Sequence, residues 1–198
     1  MRSVVILGST GSIGESALKV AEALPETVRV VGLATRSKVT RVIDQALQFG
    51  VRVVAVSDEA AAREAETLAR PHGIEVWPGE AGVCALAALG CADTVVCAWV
   101  GLAGLPPVLS ALAAGHDVAL ATKEVLVSAG ELVMRRRAEA GANLLPIDSE
   151  HSALFQCLQS GVYQPACVRQ EGACPAAFAV ARVARLELTA SGGPFAGR

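Results

Sequence analysis

Three short polar stretches hold the residue types that do chemistry. Gly8-Ser9-Thr10-Gly11-Ser12-Ile13-Gly14 sets glycines three apart, directly after the apolar run Val4–Leu7. A glycine turn between a strand and a helix lets the backbone approach a ligand closely. The helix start then offers unbonded N–H groups and a favourable dipole to a pyrophosphate. Thr10 and Ser12 add hydroxyl donors. At Leu33-Ala34-Thr35-Arg36-Ser37-Lys38 no carboxylate stands where an NAD site places one for the ribose 2′-hydroxyl. Arg36, Ser37 and Lys38 are donors suited to a 2′-phosphate instead, which favours NADP over NAD. A solvated polar loop is the bland alternative.

The third stretch is Asp148-Ser149-Glu150-His151, after Leu144–Ile147. Two carboxylates two residues apart point the same way in an extended segment and suit a hard divalent cation, Mg²⁺ or Mn²⁺. They suit the N-terminus of a helix equally well, so both readings stay open. Ala121-Thr122-Lys123-Glu124 ends another apolar run and opens a helix. Lys123 is thereby placed to meet an anion or substrate oxygens, and Glu124 to cap. Thr189-Ala190-Ser191-Gly192-Gly193 again sets a hydroxyl and backbone N–H groups after a strand.

The elements that must position these groups alternate. Val4–Leu7, Val28–Leu33, Val51–Val56, Ile74–Trp77, Thr94–Val100, Val118–Ala121 and Leu144–Ile147 are short β-branched runs of the kind buried on both faces of a parallel sheet. Between them lie helical spacings. Ile13, Ala17, Val20, Ala21 and Leu24 follow one helical period up to Pro25, and Val39, Val42, Ile43, Ala46 and Leu47 another up to Gly50. Ser57-Asp58 is placed to cap a third helix, and Pro106-Pro107 to open a later one. The expected fold is α/β, a Rossmann-like doubly wound parallel sheet over residues 1–147. A second, incomplete α/β catalytic unit follows over 148–198. There residues 160–182 lack a sustained period, and one strand, Val183–Thr189, precedes the Ser191 loop.

These segments in this order resemble 1-deoxy-D-xylulose-5-phosphate reductoisomerases. The resemblance is carried by Ile6–Gly14, Ala121–Glu124, Leu145–His151 and Leu188-Thr189-Ala190-Ser191-Gly192-Gly193-Pro194-Phe195. It implies NADPH held at its phosphates by Thr10, Gly11, Ser12 and Ile13, with Arg36, Ser37 and Lys38 near the 2′-phosphate. It implies that Lys123 and Glu124 border cofactor and substrate, and that Asp148 and Glu150 ligate Mg²⁺ or Mn²⁺. Ser149 would bind the substrate and Ser191 its phosphate. The reaction implied is rearrangement and reduction of 1-deoxy-D-xylulose 5-phosphate to 2-C-methyl-D-erythritol 4-phosphate. Family members are about twice as long, which makes this chain the front half of such an enzyme, weakly active or inactive alone. The other half would supply a third carboxylate ligand, a substrate-covering loop and a helical domain, and full-length members would pair as homodimers. Thr122 departs from the family's usual asparagine and loses an amide donor. Competing readings are a non-catalytic NADP-binding module, a different Rossmann oxidoreductase such as a homoserine dehydrogenase, and a fold with a degenerate site.

Composition narrows the field further. A formal net charge of −2 gives no electrostatic case for a nucleic-acid or membrane partner. Arg135-Arg136-Arg137 fits the C-terminal turns of a helix. Six cysteines without a C-x-x-C pair argue against a zinc framework and for small, mostly buried side chains in a reducing compartment. No run approaches the roughly 20 apolar residues of a membrane span, so a cytoplasmic protein is expected.

Overall fold

A computed structural model describes residues 1–159, with side chains to 158. All the expected strands of the first unit form: β1 (Arg2–Leu7), β2 (Val28–Thr35), β3 (Val53–Val56), β4 (Glu75–Pro78), β5 (Thr94–Cys97), β6 (Asp117–Leu120) and β7 (Leu144–Pro146). They lie in one sheet in the order β4-β3-β2-β1-β5-β6-β7. The pairings of β1 with β2 and β5, of β2 with β3, of β3 with β4 and of β5 with β6 are parallel. Helices α1 (Ser12–Ala23), α2 (Val39–Phe49), α3 (Glu59–Ala69), α4 (Gly79–Ala87), α5 (Leu105–Ala113) and α6 (Glu124–Ala140) make the crossovers. The winding runs outward from β1 to β4 and then returns to place β5 on the other side of β1. That reversal opens a crevice beyond the carboxyl ends of β1 and β5.

Val5, Leu7, Val54, Val56, Val95, Cys97 and Val118 in the sheet are fully buried, as a sheet covered on both faces requires. Asp117 ties three strand beginnings together. Its Oδ1 accepts from the backbone N of Asn143 at 2.9 Å and from Asn143 Nδ2 at 3.0 Å, and its Oδ2 from Arg2 at 3.2 Å.

The expected apolar face of α1 is wrong by about one residue. Gly14, Leu18 and Ala21 are the buried positions, whereas Ile13, Val20 and Leu24 are 41%, 52% and 49% exposed. The reason is Gly14, where a Cβ would lie 2.2 Å from the Gly8 carbonyl oxygen and 2.5 Å from Ser9 Cα. Backbone contact at that point sets the helix rotation, and the larger apolar residues follow it. In α2 a similar exchange occurs: Leu47 is exposed and Gln45 is buried in its stead. Strand β5 stops at Cys97 rather than Val100, and Val100 is 90% exposed.

Asp58 caps α3 as expected, accepting from Ala61 N at 2.9 Å, and Pro106-Pro107 open α5. Helix α6 is interrupted at Ala129 (φ −141°, ψ 27°), a kink beside Gly130 that the sequence pattern did not announce. Of the four described cysteines only Cys97 is buried; Cys84 is half-buried and Cys91 and Cys157 are exposed. The expectation of mostly buried thiols therefore fails among the described residues. None of the described helices is long and apolar enough to cross a membrane.

The chain divides into two compact units, Met1–Leu145 and Pro146–Arg198. Within the second, α7 (Ser149–Gln159) is described. The expected strand Val183–Thr189 and the Ser191 loop lie outside the described residues.

Candidate functional site

A cavity of about 770 Å³ opens at the crevice between β1 and β5. Gly8, Thr10 and Gly11 line it from the glycine turn, and Thr35, Arg36, Ser37 and Lys38 from the end of β2. Two stretches remote from each other in sequence thus share one cavity, because β1 and β2 are adjacent and both turns leave from their carboxyl ends.

The three glycines of the turn do different things. Gly8 has φ +82°, and a Cβ there would lie 2.5 Å from the Ala98 carbonyl oxygen. Gly14 is required by the backbone contact already described. Gly11 has an ordinary extended conformation (φ −92°, ψ 170°), and a Cβ there would meet nothing nearer than 3.4 Å. The fold alone does not demand a glycine at position 11. A close-approaching ligand would.

No side chain caps α1, whose N-cap is Gly11. Its first-turn N–H groups, those of Ser12 and Ile13 among them, lack the intrahelical acceptors that later residues have. Both residues are exposed at the helix start, though neither lines the cavity itself. Thr10 Oγ1 lies 2.8 Å from Thr35 Oγ1 in a buried pair. The hydroxyl of Thr10 is thus paired with that of Thr35, with either one as the donor, and the backbone N–H is a second group on the same residue. Lys38 Nζ donates to the Thr10 carbonyl at 3.3 Å, bridging the two turns, while Arg36 and Ser37 stand exposed at the rim. Two cations and a hydroxyl at this rim are donors suited to a phosphate monoester, with Asp58 and Glu80 the carboxylates on the same cavity lining.

Residues that sequence reasoning missed complete the cavity. Asp58, Glu80 and Val83 line it together with Trp99, Pro106 and Pro107. In the sequence, Asp58 and the two prolines stand out only as helix-forming signals. Beneath the turn, Gln45 holds the buried Ser9 at both ends: Ser9 Oγ donates to Gln45 Oε1 at 2.8 Å, and Gln45 Nε2 donates to the Ser9 carbonyl at 3.1 Å. A lone polar residue in the phase of an apolar helix face was the available signal.

Thr122 is buried, and its hydroxyl donates to the Trp99 carbonyl oxygen, tying the end of β6 to the segment leaving β5. Lys123 and Glu124 follow it, exposed at the head of α6 on the carboxyl edge of the sheet and outside the cavity lining. Burial pushes the Cys97 thiol up from its ordinary value, against smaller lowering contributions from hydrogen bonds with the Trp99 backbone and Thr122.

In the second unit, Asp148 heads a helix rather than standing in an extended segment. Its carbonyl accepts from Ser152 N and its Oδ1 from His151 N, both at 2.9 Å. His151 Nδ1 is 2.6 Å from the same Oδ1, and Ser149 Oγ donates to Glu150 Oε2 at 2.8 Å. Pro146 ends the strand, and acids in a first turn are favoured by the dipole, so the capping reading holds. It does not exclude a cation, since a carboxylate offers about four lone-pair positions. Among the described residues no group of three metal-binding side chains gathers. Asp148 and Glu150 are of the ligand type that holds a magnesium-type ion, which is commonly bound by one or two carboxylates together with water and substrate oxygens.

Sheet order, crevice and glycine turn define a Rossmann-type α/β protein. A family model for 1-deoxy-D-xylulose 5-phosphate reductoisomerase matches residues 4–130, and one for the C-terminal domain of that family matches residues 144–198. The chain belongs to the 1-deoxy-D-xylulose 5-phosphate reductoisomerase family. It is 43% identical over 196 residues to the 1-deoxy-D-xylulose 5-phosphate reductoisomerase of Shewanella amazonensis, covering 98% of this chain and 48% of that relative. For the Thermodesulfovibrio yellowstonii enzyme of the same name the figures are 40% over 198 residues, 100% and 47%. The chain therefore spans about half the length of the curated relatives it matches. A crystal structure of DOX-P reductoisomerase in complex with NADPH, fosmidomycin and magnesium superposes with a TM-score of 0.78 at 36% identity, over 82% of this chain and 40% of that one. A homoserine dehydrogenase from Thiobacillus denitrificans, at 21% identity and a TM-score of 0.53, shares the fold alone. The reading of this chain as a homoserine dehydrogenase-like protein is thereby set aside.

Proposed function

We propose that this chain is the NADPH-binding portion, with the first metal- and substrate-binding groups, of a cytoplasmic enzyme that converts 1-deoxy-D-xylulose 5-phosphate to 2-C-methyl-D-erythritol 4-phosphate. The observation that carries the reading is Gly11, a glycine the fold does not need at the mouth of a cavity rimmed by Arg36, Ser37 and Lys38. Residues 1–147 form the NADP-binding domain in this reading, and 148–198 begin the catalytic one.

The backbone at Thr10, Gly11, Ser12 and Ile13 receives the diphosphate at the head of α1. Arg36, Ser37 and Lys38 take the 2′-phosphate, which selects NADPH over NADH. Lys123 and Glu124 border cofactor and substrate from the carboxyl edge of β6. Asp148 and Glu150 hold Mg²⁺ or Mn²⁺, Ser149 orients the substrate, and Ser191 contacts its phosphate. When bound, the cation supplies Lewis-acid polarisation of the substrate oxygens and NADPH supplies the hydride. This chain's own residues position both and keep charge matched at each phosphate. A second copy of the full-length chain is the partner in solution.

Titration of the chain with NADPH and NADH is the first test. NADPH is expected to bind roughly tenfold or more tightly, and Arg36→Ala with Lys38→Ala to abolish most of that preference. Equal affinity for the two cofactors would overturn the assignment of the β2 rim. Oxidation of NADPH on adding 1-deoxy-D-xylulose 5-phosphate and Mn²⁺ is expected to be weak or absent with two carboxylate ligands. Electron paramagnetic resonance of Mn²⁺ then reports the acidic pair directly. Binding that persists unchanged in Asp148→Asn would remove those residues from the metal site.

A further inference from the structure

We propose that Gln45 is a positioning residue for the cofactor diphosphate: it orients the Thr10 N–H by gripping Ser9 from below. The proposal rests on the NADPH reading above and deepens it.

Gln45 is 7% exposed and Ser9 is fully buried. The Ser9 carbonyl can only accept, so the side-chain amide of Gln45 must turn its nitrogen to that oxygen and its own oxygen to Ser9 Oγ. Both bonds then form together, at 3.1 Å and 2.8 Å. Holding the Ser9 carbonyl fixes the whole peptide plane to Thr10, because a peptide unit is rigid and this one is trans. In a trans unit the N–H points opposite to the carbonyl. The Ser9 carbonyl faces α2, so the Thr10 N–H turns away from α2, and Thr10 lines the cavity. Among the described residues no backbone carbonyl takes that N–H.

The neighbouring bonds do not do this by themselves. Gly8 N and Ser9 N both donate to the Ala34 carbonyl, at 2.9 and 3.0 Å, and anchor the start of the turn to β2. Gly14 packs against the Ser9 backbone, and Gln45 supplies the hydrogen bond to the carbonyl of the plane after Ser9. The buried Thr10–Thr35 hydroxyl pair fixes the side chain of Thr10. A donor held in place before the ligand arrives loses no orientational freedom on binding, and this is how an amide distant from the phosphate can raise affinity for it.

The test uses the full chain with two ligands. NADPH needs the diphosphate cradle; adenosine 2′-monophosphate needs the Arg36-Ser37-Lys38 rim. Gln45→Leu removes both bonds. Gln45→Glu keeps the size and the acceptor for Ser9 Oγ but has no N–H for the Ser9 carbonyl. Each variant is expected to weaken NADPH binding roughly ten- to hundredfold while leaving adenosine 2′-monophosphate within about twofold. Equal loss of both ligands would mean that the residue merely supports the fold, and unchanged NADPH affinity would mean that it does not act on the cradle; either overturns the proposal. If Gln45→Leu does not fold, Gln45→Glu decides alone. In the wild-type chain, NADPH should also move the Thr10 amide proton downfield, and an unmoved Thr10 amide sinks the proposal whatever the variants do. A wild-type chain that binds adenosine 2′-monophosphate but not NADPH would overturn this proposal and leave the rim assignment standing, whereas one that binds neither would overturn the cofactor reading itself.

Discussion

Gly8, Gly11 and Gly14 differ in backbone conformation and in what a methyl group would strike, and those differences predict how each can be substituted. Gly14→Ala would drive a Cβ into the Gly8 carbonyl, and Gly8→Ala would meet both a positive φ and the Ala98 carbonyl. Each is expected to destabilise the chain by about 1–3 kcal/mol or more in denaturant titrations. Gly11→Ala meets no such obstacle and should cost only the roughly 0.5–1 kcal/mol by which alanine is a poorer N-cap than glycine, while lowering NADPH affinity at least roughly tenfold. A Gly11→Ala chain that binds NADPH normally would show that this turn is structural. Cys97 gives a second expectation at this scale. Its thiol is held above the ordinary value of 9.0 chiefly by burial, so the folded state favours the neutral form. The stability this contributes is complete below that pH and is lost as pH rises from there through the raised value of the folded thiol. Unfolding free energy should therefore decline above about pH 9, and Cys97→Ala should flatten the decline. An unchanged slope in the variant would assign the alkaline loss to other groups.

For the elements, phase matters more than composition. Helix α1 carries enough apolar residues to bury either of two stripes. The larger stripe, Ile13-Val20-Leu24, is the one left outside, because Gly14 must sit on the backbone of the turn. Leu18→Ala is accordingly expected to cost about 2–5 kcal/mol, whereas Val20→Ala should stay within about 0.5 kcal/mol. Thermal melts of the two variants, compared side by side, check the assignment; a Val20 variant as damaged as the Leu18 one would restore the phase read from the sequence. In α2 the same argument reverses a hydrophobic for a polar residue. Gln45 occupies the buried phase because the turn above it presents a carbonyl and a hydroxyl that an apolar side chain would leave unsatisfied.

At the scale of the whole molecule, the apolar core of the described residues belongs to the first unit. The core cluster runs from Val5 to Ala142, and every described residue lining the cavity lies before Val108. A fragment of residues 1–147 should therefore fold and bind NADPH within about threefold of the full chain, by titration calorimetry. A large loss of affinity would show that groups after Ile147 reach the cofactor. Substrate and metal chemistry, by contrast, is expected to need the acidic pair of the second unit.

The strands and their approximate limits were legible in the sequence, since β-branched runs flanked by glycine and proline have few other uses in a chain of this composition. The glycine turn, the cationic rim and the acidic Asp148-Ser149-Glu150 motif were equally plain, because each is a local pattern of residue types. Which face of α1 turns inward, that the Thr10 hydroxyl pairs with that of Thr35, that Asp148 heads a helix, and that Gln45 lies beneath the turn were settled only by the fold. Each depends on an atom brought near by a residue or segment whose placement the local pattern does not state. Local patterning sets which elements form and which groups they carry; the packing of a backbone against a glycine, or of an amide against a distant carbonyl, decides where those groups point.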